Sequence, residues 1–342
     1  MFSGKNVSFD SYIKQLEFKS YWCIRYKLQI RFFLILTLFL SPYLAKSSTL
    51  KDTCLTGLYL KNIYDLHPEE YAYTADFWIW FDHKGRIFDP LKNVEIINAK
   101  QVTLSDQYHA NADHDMFLAS ESNRTTLIHN WKLGNYPFDK QSFHIELEAG
   151  LDTTKMILKP LPGGFKIYKG LILPGWQILS SQTKSSLITY ESDFGERNLH
   201  GKSTFSRITY ILTIKRNGWG LFFKLLLGLY VSFFVSFLVF FLPPTSDQRF
   251  GLSIGGLFAA IANKYITDNN IPSSTSFSFV DQVHVLTFVY ILITLVLSLV
   301  SMKIINGKSH QHRIKFDRSW ALIILCTYVL FNAGLIINAY FG

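Results

Sequence analysis

Cysteine is nearly absent: Cys23, Cys54 and Cys326 are the only 3 in 342 residues. Cys54 stands alone in the polar stretch that follows residue 47, so no disulfide can form within that stretch and its core depends on packing. Charge is scarce as well, at 17% of residues against 49% hydrophobic. That balance suits a polar domain joined to a membrane domain better than one soluble body. Between residues 48 and 215 the lysines and arginines almost equal the acids. The surplus behind the net charge of +9 lies before residue 47 and in Lys303, Lys308, Arg313, Lys315 and Arg318, met there only by Asp317. A nucleic-acid surface would need a basic patch on the polar domain, and none is evident. Basic residues beside apolar spans are instead the positive-inside signal. Catalytic motifs are missing too, with no Gly-x-Ser-x-Gly, no His-Glu-x-x-His and no phosphate-binding glycine loop. No cofactor is expected, and a membrane-anchored periplasmic enzyme is the weaker alternative because it has no motif.

What is present begins with a leader. Arg31 precedes the apolar run Phe32 to Leu40, followed by Ser41-Pro42 and Ala45-Lys46-Ser47. This order predicts a secretory signal over residues 1–47, cut near Ser47, with an uncleaved anchor as the alternative. Its basic region is longer than such leaders carry, which points to a start downstream of Met1. Residues 217–342 then hold four candidate spans, at about 218–242, 248–268, 279–302 and 320–341, each long enough to cross a bilayer. A leader that exports residues 48–216 places the basic loop 303–318 inside the cell.

Residues 48–216 alternate in hydropathy. Thr74 to Asp82, Gln141 to Glu148 and Ser206 to Ile214 read as half-buried strands, separated by turn signals at His83-Lys84-Gly85, Pro162-Gly163-Gly164 and Pro174-Gly175. About ten short strands predict a β-sandwich. The fold expected is α+β: an immunoglobulin-like sandwich outside the membrane and a four-helix bundle within it. Only Lys215, Arg216 and Asn217 join the last strand to the first span, a junction short enough to transmit force.

The second span is the odd one. It carries Arg249, Asn263, Lys264 and several glycines, with Asp247 just before it. A helix of that polarity at membrane depth faces protein or water, which makes it the candidate lining of a pathway.

Tyr136-Pro137-Phe138-Asp139-Lys140-Gln141 resembles the signature turn of the pentameric ligand-gated ion channels, the Cys-loop receptor superfamily. Trp80-x-Asp82 is similar to that family's Trp-x-Asp, Arg216 to its basic residue before the first span, and Pro272 to its proline after the second. The resemblance covers about Leu55 to Phe341. The cysteine pair that brackets the turn in animal members is missing, and the loop before the last span is short, as in prokaryotic members. The resemblance implies a homopentameric channel subunit of a bacterial inner membrane, with membrane lipids, permeating ions and a small-molecule ligand as partners. It assigns coupling between sandwich and pore to Trp80, Asp82, Tyr136, Pro137, Phe138, Asp139, Arg216 and Pro272. A buried Phe138, with Asp139 turned toward Arg216, fits that role on physical grounds.

Counting back from Pro272 by the prokaryotic spacing implies a lumen lined by Asp247, Gly251, Gly255, Phe258, Ala262 and Ile266. Asp247 would form an acidic ring favouring cations, and Phe258 an apolar constriction. Glycines stand where the family has Ser and Thr. A second register puts the more polar stripe of Arg249, Ser253, Gly256, Ala260, Asn263 and Thr267 on the axis, where Arg249 would favour anions. The family's mid-helix proline in the first span falls at Gly228. The loop Tyr190 to Phe205 is similar to the family's agonist loop, with Tyr190, Phe194 and Trp176 as candidate ligand aromatics, suited to a cationic amine. His109, Asp113, His114 and Asp115 read as a solvated loop, and no metal site is expected. A non-conducting pentameric sensor or scaffold is the main alternative function.

Overall fold

A computed structural model describes residues 52–84, 88–111, 116–196, 201–243, 245–271, 277–304 and 310–342, with the backbone alone at 111, 304 and 310–313. The leader and Pro272 lie outside the described residues. The chain is α+β, with strands first and long helices after.

Among the described residues, strands β1 (Asp52–His67), β2 (Ala72–His83), β3 (Val94–Ile96), β4 (Ala99–Asn111) and β5 (Phe117–Ile128) are followed by β6 (Lys140–Ala149), β7 (Met156–Ile167), β8 (Trp176–Tyr190) and β9 (Ser203–Arg216). They form a five-stranded sheet in the order β4-β5-β2-β1-β7 and a four-stranded sheet in the order β3-β6-β9-β8. Pairings are antiparallel except that of β1 with β7. Alternation produces the core. Tyr73, Ala75, Phe77, Ile79 and Phe81 on β2 are buried, as are Phe143, Ile145 and Leu147 on β6 and Ile208, Tyr210, Leu212 and Ile214 on β9. The buried tyrosines place their hydroxyls across the core, Tyr73 donating to the His144 carbonyl at 2.8 Å and Tyr210 to the Thr56 carbonyl at 3.0 Å.

Four helices follow: α1 (Trp219–Phe237, extended by a 3-10 turn to Phe241), α2 (Gln248–Asp268), α3 (Phe279–Ile304) and α4 (His310–Phe341). Among the described residues three stretches, Trp219–Phe241, Phe279–Lys303 and Ile314–Phe341, are long and apolar enough to cross a membrane. The chain is therefore membrane-embedded by length and composition. Helix α2 is not apolar enough to join them, although its 21 residues reach about 31 Å at 1.5 Å per residue. The expected loop at 303–318 is partly wrong, because His310 to Arg318 are helical and begin α4. No proline or glycine interrupts that stretch; Lys315 and Arg318 are exposed on it, while Asp317 is buried.

Small residues let α2 approach α1 closely. A Cβ at Gly256 would lie 2.2 Å from Ser236 Oγ, and one at Gly228 would lie 2.8 Å from Asn263 Nδ2. Such close approach is how helices associate in lipid, where burial of apolar area drives little. Gly228 thus serves packing, and α1 runs unbroken through it.

Candidate functional site

The sandwich and the helices meet at the turn before β6. Asp139 is 1% exposed. Arg216, the last residue of β9, donates from Nε to Asp139 Oδ1 at 2.7 Å and from a terminal nitrogen to Oδ2 at 3.3 Å. Its backbone N–H also reaches the Asp139 carbonyl at 3.1 Å. Gln141 donates to Asp139 Oδ2 at 2.8 Å, so the carboxylate has three side-chain hydrogen bonds from two partners. The guanidinium lies 4.0 Å from the Trp176 ring centre and 5.0 Å from that of Tyr136. A desolvated, stacked and nearly bidentate pair of this kind is rigid.

Phe138 extends the joint into the membrane helices. It is buried, with ring centres of Trp219 and Phe222 on α1, Phe279 on α3 and Tyr340 on α4 at 5.0 to 6.0 Å. The backbone follows: the Phe279 N–H donates to the Gly134 carbonyl at 2.7 Å. Gly218 is required here, because a Cβ would lie 2.1 Å from the Pro137 oxygen. Behind the turn, buried His129 packs edge-on against Tyr73, Trp131 and Phe143. Its Nε2 lies 3.2 Å from Gln141 Oε1, which makes it the donor of that bond. Burial pushes the His129 imidazole down to about 4, so it is neutral near pH 7.

Tyr136, Pro137, Phe138, Asp139 and Arg216 thus come together, and Trp176 joins them. Trp80 and Asp82 do not. They sit at the far end of β2, opposite Gly57 and Leu55 on β1. The start of β2 is the end near the turn, which leaves them roughly 25 to 30 Å away. The Trp80 ring lies on Gly57, where a Cβ would be 2.2 Å from it. Burial raises the Asp82 carboxyl above its ordinary value.

Along α2, Asp247, Gly251, Gly255, Phe258, Ala262 and Ile266 are all exposed on one face, Phe258 at 67%. The second register is overturned. Arg249, Ser253, Gly256, Ala260 and Thr267 are buried inside the subunit, and Asn263 Oδ1 accepts from His284 Nε2 on α3 at 3.2 Å. Lys264 pairs with Asp281 at 2.8 Å and also with Asp268. The polar stripe exists because it bonds to neighbouring helices.

Tyr190 and Phe194 do cluster, with Phe205, at ring-centre distances of 5.6 to 5.8 Å. Phe194 is 66% exposed and stands at a positive φ of 51°. Trp176 is at the opposite end of β8, roughly 45 Å along the strand, so the expected aromatic triad is corrected to Tyr190, Phe194 and Phe205. Beneath it, Arg207 bonds Glu148 at 2.7 Å, Glu146 at 3.0 Å and the Tyr190 hydroxyl at 2.9 Å. The Tyr190 hydroxyl in turn donates to Glu148 at 2.9 Å. The His144 ring, 3.8 Å away, and the nearby Arg207 charge hold the Glu146 carboxyl below its ordinary value. Glu146, Glu148 and Arg207 alternate along β6 and β9, a pattern visible in sequence once the two strands are paired. His109 faces Asp89 at 3.2 Å, and Asp113, His114 and Asp115 lie outside the described residues.

No protein-family model matches this chain, and no curated protein matches it.

Proposed function

We propose that the chain is the subunit of a homopentameric, ligand-gated, cation-conducting channel in a bacterial inner membrane, its immunoglobulin-like sandwich on the periplasmic side. One observation carries the reading: a single turn engages Arg216 at the end of the sandwich and, through Phe138, three helices at once. Movement of the sandwich is thereby delivered to the bundle rather than lost in a tether. Helix α2 supplies the pathway, crossing the membrane as the fourth span. Its exposed face is too polar and too small for lipid at Asp247, Gly251 and Gly255, yet bears Phe258 midway. Around a five-fold axis Asp247 would gather cations at the inner mouth and Phe258 would close the lumen by dewetting. A ligand bound at the Tyr190 loop, between neighbouring sandwiches, shifts the closed–open equilibrium by its differential affinity. Aromatic rings over Glu148 and Glu146 suit a cationic amine.

The test is purification of the full chain, particle imaging and bilayer recording. A five-fold ring that carries cation current, with more current from Phe258→Ala, is expected; any other symmetry sinks the reading. A second reading keeps the pentamer without conduction, as a sensor or scaffold. It is favoured by the lack of any serine or threonine on the exposed α2 face, where Ser253 and Thr267 are buried, and silence of a well-formed Phe258→Ala ring would select it. Neither reading requires catalysis.

A further inference from the structure

Arg249 and Asp317 form the most deeply buried ion pair among the described residues, with side chains 0% and 5% exposed. A terminal nitrogen of Arg249 donates to Asp317 Oδ2, and the same nitrogen reaches the Leu242 carbonyl at 3.0 Å. Arg249 Nη1 and Asp317 Oδ1 are buried with no hydrogen-bond partner among the described residues. Asp317 is thus the anion that holds this guanidinium, supported only by one carbonyl. It stands alone among bases, since Lys315 and Arg318 flank it on an exposed part of α4. On α2, Arg249 occupies the first turn, two residues after the exposed Asp247 and nearly opposite it on the helix.

We propose that Asp317, from the last helix, is a selectivity-determining positioning residue: it stores Arg249 inside the subunit and so keeps the mouth at Asp247 acidic. The inference rests on the channel reading above. A guanidinium does not lose its proton in a protein, so Arg249 cannot escape burial by neutralising itself. Left with the Leu242 carbonyl alone, it must move to water and countercharge. The nearest such place on its own helix is the end that carries Asp247. One cation per subunit would then cancel one carboxylate per subunit.

The experiment is the reversal potential of the full-length protein in a potassium chloride gradient. Asp317→Asn should lower the cation-to-anion permeability ratio about tenfold or more, as cancelling a charged ring does. Adding Arg249→Gln to Asp317→Asn should restore the ratio, and Arg249→Gln alone should leave it unchanged. An unchanged ratio in a conducting Asp317→Asn channel overturns the proposal. So does a raised ratio in Arg249→Gln, which would show Arg249 already reaching the mouth and which does not need the Asp317 variant to fold. If no variant conducts, the channel reading fails by itself. The pairing is then read from phenylglyoxal modification located by mass spectrometry. Arg249 should be protected in the native chain and modified in Asp317→Asn; equal protection in both overturns it.

Discussion

Arg216 and Asp139 join the end of the sandwich to the turn that enters the membrane, with the carboxylate sealed from water and the guanidinium stacked on Trp176. Surface ion pairs contribute about 0 to 1 kcal/mol, but removing one partner of a buried pair strands a charge and costs about 3 to 5 kcal/mol. Arg216→Ala should therefore destabilise the chain by about 3 kcal/mol or more in chemical denaturation. Asp139→Asn with Arg216→Gln should cost less than Arg216→Ala, because no charge is left buried alone. Equal losses for the two would mean that stacking on Trp176, not charge, holds the joint.

Phe138 is the other half of that joint. Truncating a buried phenylalanine costs about 3 to 5 kcal/mol, partly for the cavity it leaves. Phe138→Ala should lose that much stability, while Phe138→Leu should lose about half. In recordings Phe138→Leu should raise the ligand concentration needed for opening without weakening ligand binding. A parallel shift in binding affinity would assign Phe138 to the ligand site instead.

The joint was legible in the sequence because its residues stand at element ends, where turn chemistry and a basic residue just before a span carry local signals. The α2 register was half legible. Its two faces read as alternatives, and only packing against Ser236, Leu225 and His284 decides that the polar one is internal. Trp176 was misplaced because a 15-residue strand puts its two ends far apart, and alternation says nothing of strand length. The pairing of Arg249 with Asp317 was not legible, since 68 residues separate them and no short-range pattern links helices across a bundle. The helical start of α4 was hidden for a similar reason: charge alone reads as loop.

His129 makes the sandwich acid-sensitive. Burial holds its folded pKa at about 4, below the ordinary 6.5, so the fold favours the neutral ring. Its contribution is complete above pH 6.5 and is lost as pH falls from there toward 4, where the unfolded chain takes up the proton first. The difference corresponds to roughly 3 kcal/mol. Denaturation midpoints of the native chain should fall over that window, and His129→Gln should be less stable at pH 7 yet flatter with pH. An identical slope in the variant would place the acid sensitivity on other groups.

Trp176 and Phe194 bracket β8 and should separate two functions that an aromatic substitution could otherwise confuse. Phe194 is mostly exposed and, among the described aromatic rings, touches only Tyr190 and Phe205. Its loss should leave stability within about 0.5 kcal/mol, as surface substitutions usually do. Trp176 covers the Arg216 guanidinium, and a desolvated cation–π contact is worth about 2 kcal/mol. Trp176→Ala should therefore cost about that in stability and change the maximal response to any agonist. Phe194→Ala should instead reduce affinity, by about tenfold for a cationic amine held by one ring of a cage. Titration of the purified variants with a tetraalkylammonium probe, followed by intrinsic fluorescence, makes the comparison. Loss of binding in Trp176→Ala with none in Phe194→Ala would put the ligand at the membrane junction and leave the Tyr190 loop without a role.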